Sequence, residues 1–278
     1  METGLVKGIS NDDYHKGPGV SRSFLWTLLD KSPADARVEK EETDAMAMGT
    51  ALHTAILEPN RFEREYKVIP ADCRVGSGKG QRERLSTFEA TAEINGWTTI
   101  KAEDMESIKR MANAVRSNED AKVLLEGIEA EVSGYWFDPD EKDVLCKIRP
   151  DGIQTATGIL VDLKKAADAR ERIFVNKAHG MGYHVQAFMC LYGMTHITGV
   201  EHQEFRFIVA EDHEPWNVVV YRASQEFLHV GGIDFGRAFR LYVECLRSGK
   251  WLGYPGGVHD LNPPGWRMRK EMMSEIIE

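Results

Sequence analysis

The stretch from residue 130 to 166 constrains the fold most. Here the helical spacing of the first half gives way to three short segments, EVSGYWF, VLCKIRPDGI and GILVDLKKA, that read as strands. The turn-forming triplets Asp138-Pro139-Asp140 and Ala156-Thr157-Gly158 lie in the two short connections. A helix over about 171–196 follows, then two more strands, EFRFIVAED and WNVVVYRAS, and a long helix over about 224–248. The order β-β-β-α-β-β-α predicts an α/β unit with a mixed central sheet.

The first half reads differently. Residues 1–20 predict an irregular arm ending in the turn cluster Gly17-Pro18-Gly19. Ser21 or Ser23 can cap a helix running through Leu29, which Lys31-Ser32-Pro33 stops. Met48, Leu52, Ala55 and Ile56 give helical spacing over Met46–Leu57, with Glu58-Pro59 as terminator. The glycine-rich, basic stretch at 71–84 reads as a mobile loop, open to solvent or to a phosphate backbone. Helices are expected at 80–94 and 102–126. The tail from Trp251 is expected to be irregular until a short helix at 268–277.

Composition narrows the classes. A net charge of −9 argues against a protein coated in basic surface, so any contact with nucleic acid must confine positive charge to one groove. Cys73, Cys146, Cys190 and Cys245 are widely spaced with no CxxC pair, which points to buried reduced thiols rather than a zinc or iron–sulfur site. No apolar run approaches the roughly 18 residues of a membrane span. The opening METGLVKGISNDDYH lacks the apolar core of a secretory signal, so the expected location is cytoplasmic.

The chemistry concentrates in Arg149-Pro150-Asp151 and Val161-Asp162-Leu163-Lys164. Residues two apart on a strand share a face, so Asp162 and Lys164 point together while Leu163 points into apolar packing. Asp151 ends the preceding strand, and the hairpin brings its carboxylate beside Asp162. Two acidic oxygens and an ammonium at one sheet edge suit metal-assisted hydrolysis of a phosphodiester, with Mg²⁺ (or Mn²⁺) on hard oxygen ligands. The expected metal ligands are Asp151, Asp162 and the carbonyl of Leu163. Lys164 would orient the attacking water or stabilise charge developing on the phosphate.

Pro150-Asp151 followed by Asp162-x-Lys164 resembles the PD-(D/E)xK nuclease signature, with Leu163 and Lys165 where related sequences often have Val and Thr. Tyr183-His184-Val185-Gln186 resembles the Y-x-x-Q element of RecB-like and RecE-like nucleases. Gly49-Thr50-Ala51-Leu52-His53 resembles their G-T-x-x-H helix. Tyr14-His15 through Ser23, and Ala130-Glu131 through Trp136, are similar to segments of RecE-type (exonuclease VIII) nuclease domains of phage recombination systems. The resemblance spans roughly residues 8–248.

That resemblance implies a restriction-endonuclease-like core: a mixed central sheet flanked by helices. It implies one nuclease domain over 1–278, with a mainly helical portion at 1–127, a catalytic core at 128–250 and an irregular tail at 251–278. It makes His53 a metal ligand or a neighbour of the metal. Glu131 is either a further carboxylate ligand or an ordinary strand residue. Gln186 and Tyr183 contact DNA or orient Lys164, with helix packing the other reading for Tyr183; His184 is structural or exposed. Ser21, Arg22 and Ser23 open a helix whose start could hold a 5′-phosphate, although capping alone explains the serines. Lys165 and Arg170 belong to a basic cluster that could track DNA.

The implied activity is a Mg²⁺-dependent exonuclease on double-stranded DNA ends, degrading one strand 5′ to 3′ and leaving a 3′ single strand for annealing. The implied partners are a RecT-like single-strand annealing protein and further copies of the chain in a ring, in a bacterial host cell and encoded by a phage or prophage. No membrane partner is implied. An endonuclease or structure-specific nuclease on the same fold, or a non-catalytic DNA-binding module, remain the alternatives.

Overall fold

A computed structural model describes residues 3–39, 43–73, 79–265 and 267–269. In chain order the elements are β1 (Gly4–Val6), α1 (Asn11–Lys16), α2 (Arg22–Asp30), α3 (Pro33–Ala36), α4 (Asp44–Leu57), α5 (Pro59–Glu65), β2 (Tyr66–Val68), α6 (Lys79–Asn95), β3 (Thr98–Ile100), α7 (Ala102–Ser117) and α8 (Glu119–Leu125). Then come β4 (Ile128–Ala130), β5 (Ser133–Phe137), β6 (Leu145–Ile148), β7 (Gly152–Gln154), β8 (Ile159–Ala166), α9 (Glu171–Gly180), α10 (Tyr183–Thr198), β9 (Phe205–Glu211), β10 (Val218–Arg222) and α11 (Gln225–Ser248).

The central sheet runs β10-β9-β8-β7-β4. It is mixed, with β8 and β9 parallel and the other pairs antiparallel. Strand β8 is apolar on both faces, as a strand covered on both sides must be. Leu160 and Ala166 join the core formed with α2, α10 and α11, whereas Val161 and Leu163 join the core formed with α4 and α7. Helices α4 and α7 of the N-terminal portion therefore cover one face of the sheet, while α2 joins α10 and α11 on the other. This is the expected α/β class, a mixed central sheet flanked by helices.

Four expectations need correcting. The segment VLCKIRPDGI is two strands: β6 pairs with β5 in a separate sheet of order β1-β5-β6, and β7 pairs with β8 in the central one. The break falls at Arg149-Pro150-Asp151, where Pro150 has no N–H to continue a ladder. The helix expected at 102–126 breaks at Asn118, whose side chain accepts the Ala121 N–H and restarts the chain as α8. The helix expected at 171–196 breaks at Gly182, which has φ +67°. A Cβ there would lie 2.4 Å from the Trp26 ring, so only glycine fits.

Residues 1–20 are not irregular, which is the fourth correction. They add β1 to a sheet edge and form α1, capped by Ser10. Buried Lys147 holds this segment down by donating to the carbonyls of Tyr14 (2.6 Å), His15 (3.2 Å) and Gly17 (2.6 Å). Arg149 donates to the Ile9 carbonyl (3.1 Å) and to Ser133 Oγ, and its guanidinium lies 4.2 Å from the Tyr14 ring centre. The short strands β2, β3 and β4 carried too little pattern to be read from sequence.

Other readings fit. Ser21 caps α2, and the long helix expected at 224–248 is α11. All four cysteines are free and buried. Among the described residues no helix is long and apolar enough to cross a membrane. Of the basic loop, residues 74–78 lie outside the described residues, as does most of the helix expected at 268–277; residues 251–264 form no regular element.

Candidate active site

The kink between β6 and β7 positions the site. It turns the Asp151 carboxylate towards the neighbouring strand, where Oδ2 accepts the Leu163 N–H at 2.6 Å. On β8, Asp162 and Lys164 share a face as alternation requires, with Lys164 Nζ 2.5 Å from Asp162 Oδ2. The ammonium is the partner of this buried oxygen. Asp162 Oδ1 accepts from Gln186 Nε2 at 2.5 Å. The Tyr183 ring lies 4.6 Å from the Lys164 ammonium and packs behind it on Phe174 and Phe207. Gln186 and Tyr183, three apart on α10, thus hold Asp162 and Lys164 respectively.

His53 enters from α4 on the other side. Its Nε2 meets the Leu163 carbonyl at 3.1 Å, and its Nδ1 faces Asp151 Oδ1 at 3.4 Å. A carbonyl only accepts, so Nε2 carries the proton. In a neutral ring, Nδ1 would then point its lone pair at a carboxylate. That arrangement needs a cation between the two atoms: a proton or a metal ion. The Leu163 carbonyl keeps one further lone pair.

Glu131, at φ +53°, completes the cluster, and Arg149 approaches it at 3.9 Å. One ligand atom each from His53, Glu131 and Asp151 lie within 4.8 Å of one another. Two carboxylates and an imidazole oriented by a backbone carbonyl suit a divalent cation. Asp162 borders this set, its carboxylate directed at Lys164 and Gln186.

The electrostatics agree with a cation site. Burial opposes charge on His53, but the Asp151 carboxylate outweighs it and raises the pKa to about 9. Burial, reinforced by Asp151, pushes Glu131 up to about 7. Burial and the nearby Asp151 also raise Asp162. Without metal, then, His53 carries a proton at neutral pH, and Glu131 part of one, that a cation must displace. Binding of Mn²⁺ at about pH 7.5 should release close to one proton or more, and the release should fade as the pH climbs past about 9. Titration calorimetry in buffers of unlike ionisation enthalpy measures it; binding with no proton release at pH 7.5 would remove His53 from the ligand set.

A cavity of about 380 Å³ adjoins the site, lined by Asp151, His53, Glu131 and Gln186, by Met46, Gly49 and Thr50 of α4, and by Tyr14, His15, Ser21, Arg22 and Ser23. Arg22 donates to the Met181 carbonyl (3.2 Å) and to Gln186 Oε1 (3.3 Å), so it connects through Gln186 to Asp162. Ser21 Oγ caps α2 and lies 3.0 Å from Ser23 Oγ.

Lys165 and Arg170 do not line this cavity. Lys165 alternates to the opposite face of β8 and pairs with Asp212 at 2.7 Å, and Arg170 pairs with Asp168 at 2.9 Å. His184 is buried and bonded to Asp234, a structural position. Sequence reading missed Lys147 and Arg149, which fix the wall formed by residues 9–17. Arg149 stood next to the signature, but nothing local announced that its partners would be Ser133 and the Ile9 carbonyl.

Residues 30–260, well over half the chain, match the family described as "PDDEXK-like domain of unknown function (DUF3799)". Among solved structures, the chain is similar to a protein of Eubacterium rectale provisionally described as an exonuclease. The TM-score is 0.56 at 13% identity, over 91% of this chain and 97% of that one, a likeness of fold. The structure of SSO0001 aligns at TM-score 0.32 and 13% identity, over 74% of this chain and 88% of that one, which is too distant to carry an argument. No curated protein matches significantly.

Proposed function

The chain belongs to the PDDEXK-like family of unknown function, DUF3799, and from that premise we propose that it is a divalent-metal-dependent deoxyribonuclease acting on the ends of double-stranded DNA. The observation that carries this reading is the convergence of Asp151, Asp162, Lys164, His53 and Glu131 beside a cavity that also holds Arg22. The resemblance to RecE-type exonucleases supports 5′ to 3′ degradation that leaves a 3′ tail, and Mg²⁺ as the working ion. It also supports a ring of copies and a RecT-like annealing partner in a phage-encoded system.

The residues divide the work. Asp151 and Glu131, with His53, would hold the cation, and the Asp162 carboxylate beside them adds negative charge while it holds Lys164 and Gln186. When bound, the ion lowers the pKa of a ligated water and polarises the phosphoryl oxygen. Lys164 keeps its proton and lends positive charge beside the phosphate. Burial alone would strip that proton, but Asp162 and Asp151 hold its pKa above the ordinary value. Gln186 fixes the Asp162 carboxylate, and Tyr183 backs the ammonium. Arg22, with the serine hydroxyls and the α2 N-terminus, grips a terminal phosphate.

The test uses linear duplexes labelled at either end, with and without a 5′-phosphate, beside a covalently closed circle. Wild type in Mg²⁺ should shorten only linear DNA, from the 5′ end, and prefer phosphorylated ends. Arg22→Ala should lose that preference while its melting temperature holds. Loss of a helix cap instead costs roughly 0.5–2 kcal/mol of stability and treats all ends alike. Cutting of the closed circle would favour an endonuclease, and an unchanged end preference in the variant would take Arg22 out of the site.

A further inference from the structure

Helix α4 contains one glycine, Gly49, and its packing does not call for one. Interior glycine weakens a helix, so chains usually keep it where a neighbour presses close. That is so at Gly231, where a Cβ would lie 2.2 Å from the His184 carbonyl oxygen, and at Gly193, 2.6 Å from Trp136. At Gly49 a Cβ would meet no heavy atom within 4 Å. The open space is the cavity itself, which Gly49 lines together with His53.

The two residues are four apart, so they share a helix face, and a side chain at 49 would lean out over the approach to the metal ligands. Met46 lines the same wall, but the neighbouring hydroxyls are turned back to the helix. Thr50 Oγ1 turns back to the Met46 carbonyl (3.1 Å), and Thr54 Oγ1 to the Thr50 carbonyl (2.9 Å). Across the cavity stands the wall of Tyr14 and His15, fixed by Lys147 and Arg149.

We propose that Gly49 is a specificity-determining position: it leaves clearance for the sugar–phosphate backbone of one unpaired DNA strand, which passes the helix between Met46 and His53 on its way to the metal site. This rests on the nuclease reading above. The cavity, about 380 Å³, has the size of a small-molecule pocket and suits a nucleotide drawn out of its duplex rather than the duplex itself.

Gly49→Leu separates the possibilities, because leucine favours a helix and its Cβ would meet no heavy atom within 4 Å. Melting temperature and Mn²⁺ affinity should hold or rise. Affinity for a 5′-phosphorylated single strand, measured with Ca²⁺, should fall by roughly tenfold or more, the scale of forcing a side chain into occupied space. Cleavage should fall with it, and Gly49→Ala should lie between the two. Wild-type DNA affinity and cleavage in Gly49→Leu would overturn the proposal while leaving the nuclease reading standing. So would a parallel loss of Mn²⁺ binding, which would mark a disturbed helix. A wild-type protein that binds no DNA would overturn the nuclease reading and this proposal with it.

Discussion

Replacing Asp162 with asparagine should lower DNA cleavage by about 10²–10³-fold or more while the protein stays folded. Asparagine keeps the shape of a side chain that is 1% exposed and bonded to Gln186. It removes the negative charge that the neighbouring Asp151 already disfavours, so part of the stability lost with the Lys164 pair returns as relieved repulsion. The net change should be on the order of 1 kcal/mol. Alanine is the harsher change, because it strands a mostly buried ammonium, and breaking such a pair costs about 3–5 kcal/mol. The paired measurement is cleavage rate and melting temperature for both variants. A folded Asp162→Asn protein that cuts at near wild-type rate would remove Asp162 from the catalytic set.

Much of this centre was legible because its geometry is local. The alternation of Asp162, Leu163 and Lys164 needs only the pleat of a strand, and the structure realises it, with Leu163 in the core and its neighbours on the site face. The cap at Ser21 likewise follows from a hydroxyl at the start of an apolar period. The kink at Pro150 carried a local signal as well. Reading one strand through it hid the fact that β6 and β7 belong to different sheets, and that this divergence is what turns Asp151 towards β8.

The remainder depends on partners far apart in sequence. Nothing near Lys147 indicates that its ammonium will be buried on three carbonyls of the N-terminal segment, and without that pin residues 9–17 read as an arm. The contact of His53 with the Leu163 carbonyl, 110 residues away, follows from α4 packing on the face of β8 that Leu163 enters. Only family resemblance pointed to it. Charge is the third case. The overall −9 hides the grouping of Arg22, Lys147 and Arg149 around one cavity and of Lys164 beside Asp162, because each is set among carbonyls or carboxylates that sequence order does not bring together.

Removing the Lys164 ammonium should slow the chemical step far more than it weakens DNA binding. Lys164→Met keeps much of the stem that packs beside Tyr183 and deletes the charge. With its pKa held up by Asp162 and Asp151, the lysine stays protonated at neutral pH, so its contribution is a positive charge beside the phosphate rather than acceptance of a proton. Deleting one preorganised charge of this kind costs roughly 10²–10³-fold in single-turnover rate. DNA affinity, which the proposed reading rests on Arg22 and the cavity wall, should change little.

A second consequence follows from the same electrostatics. Asp151 and Asp162 would face each other without their shared counter-charge, so the metal-free variant should melt lower than wild type. Added Mn²⁺ should then raise its melting temperature by more than it raises that of wild type, because the ion supplies the missing positive charge. If binding collapses while single-turnover chemistry survives, Lys164 is a phosphate anchor. If Mn²⁺ stabilises variant and wild type equally, the two carboxylates do not share a cation.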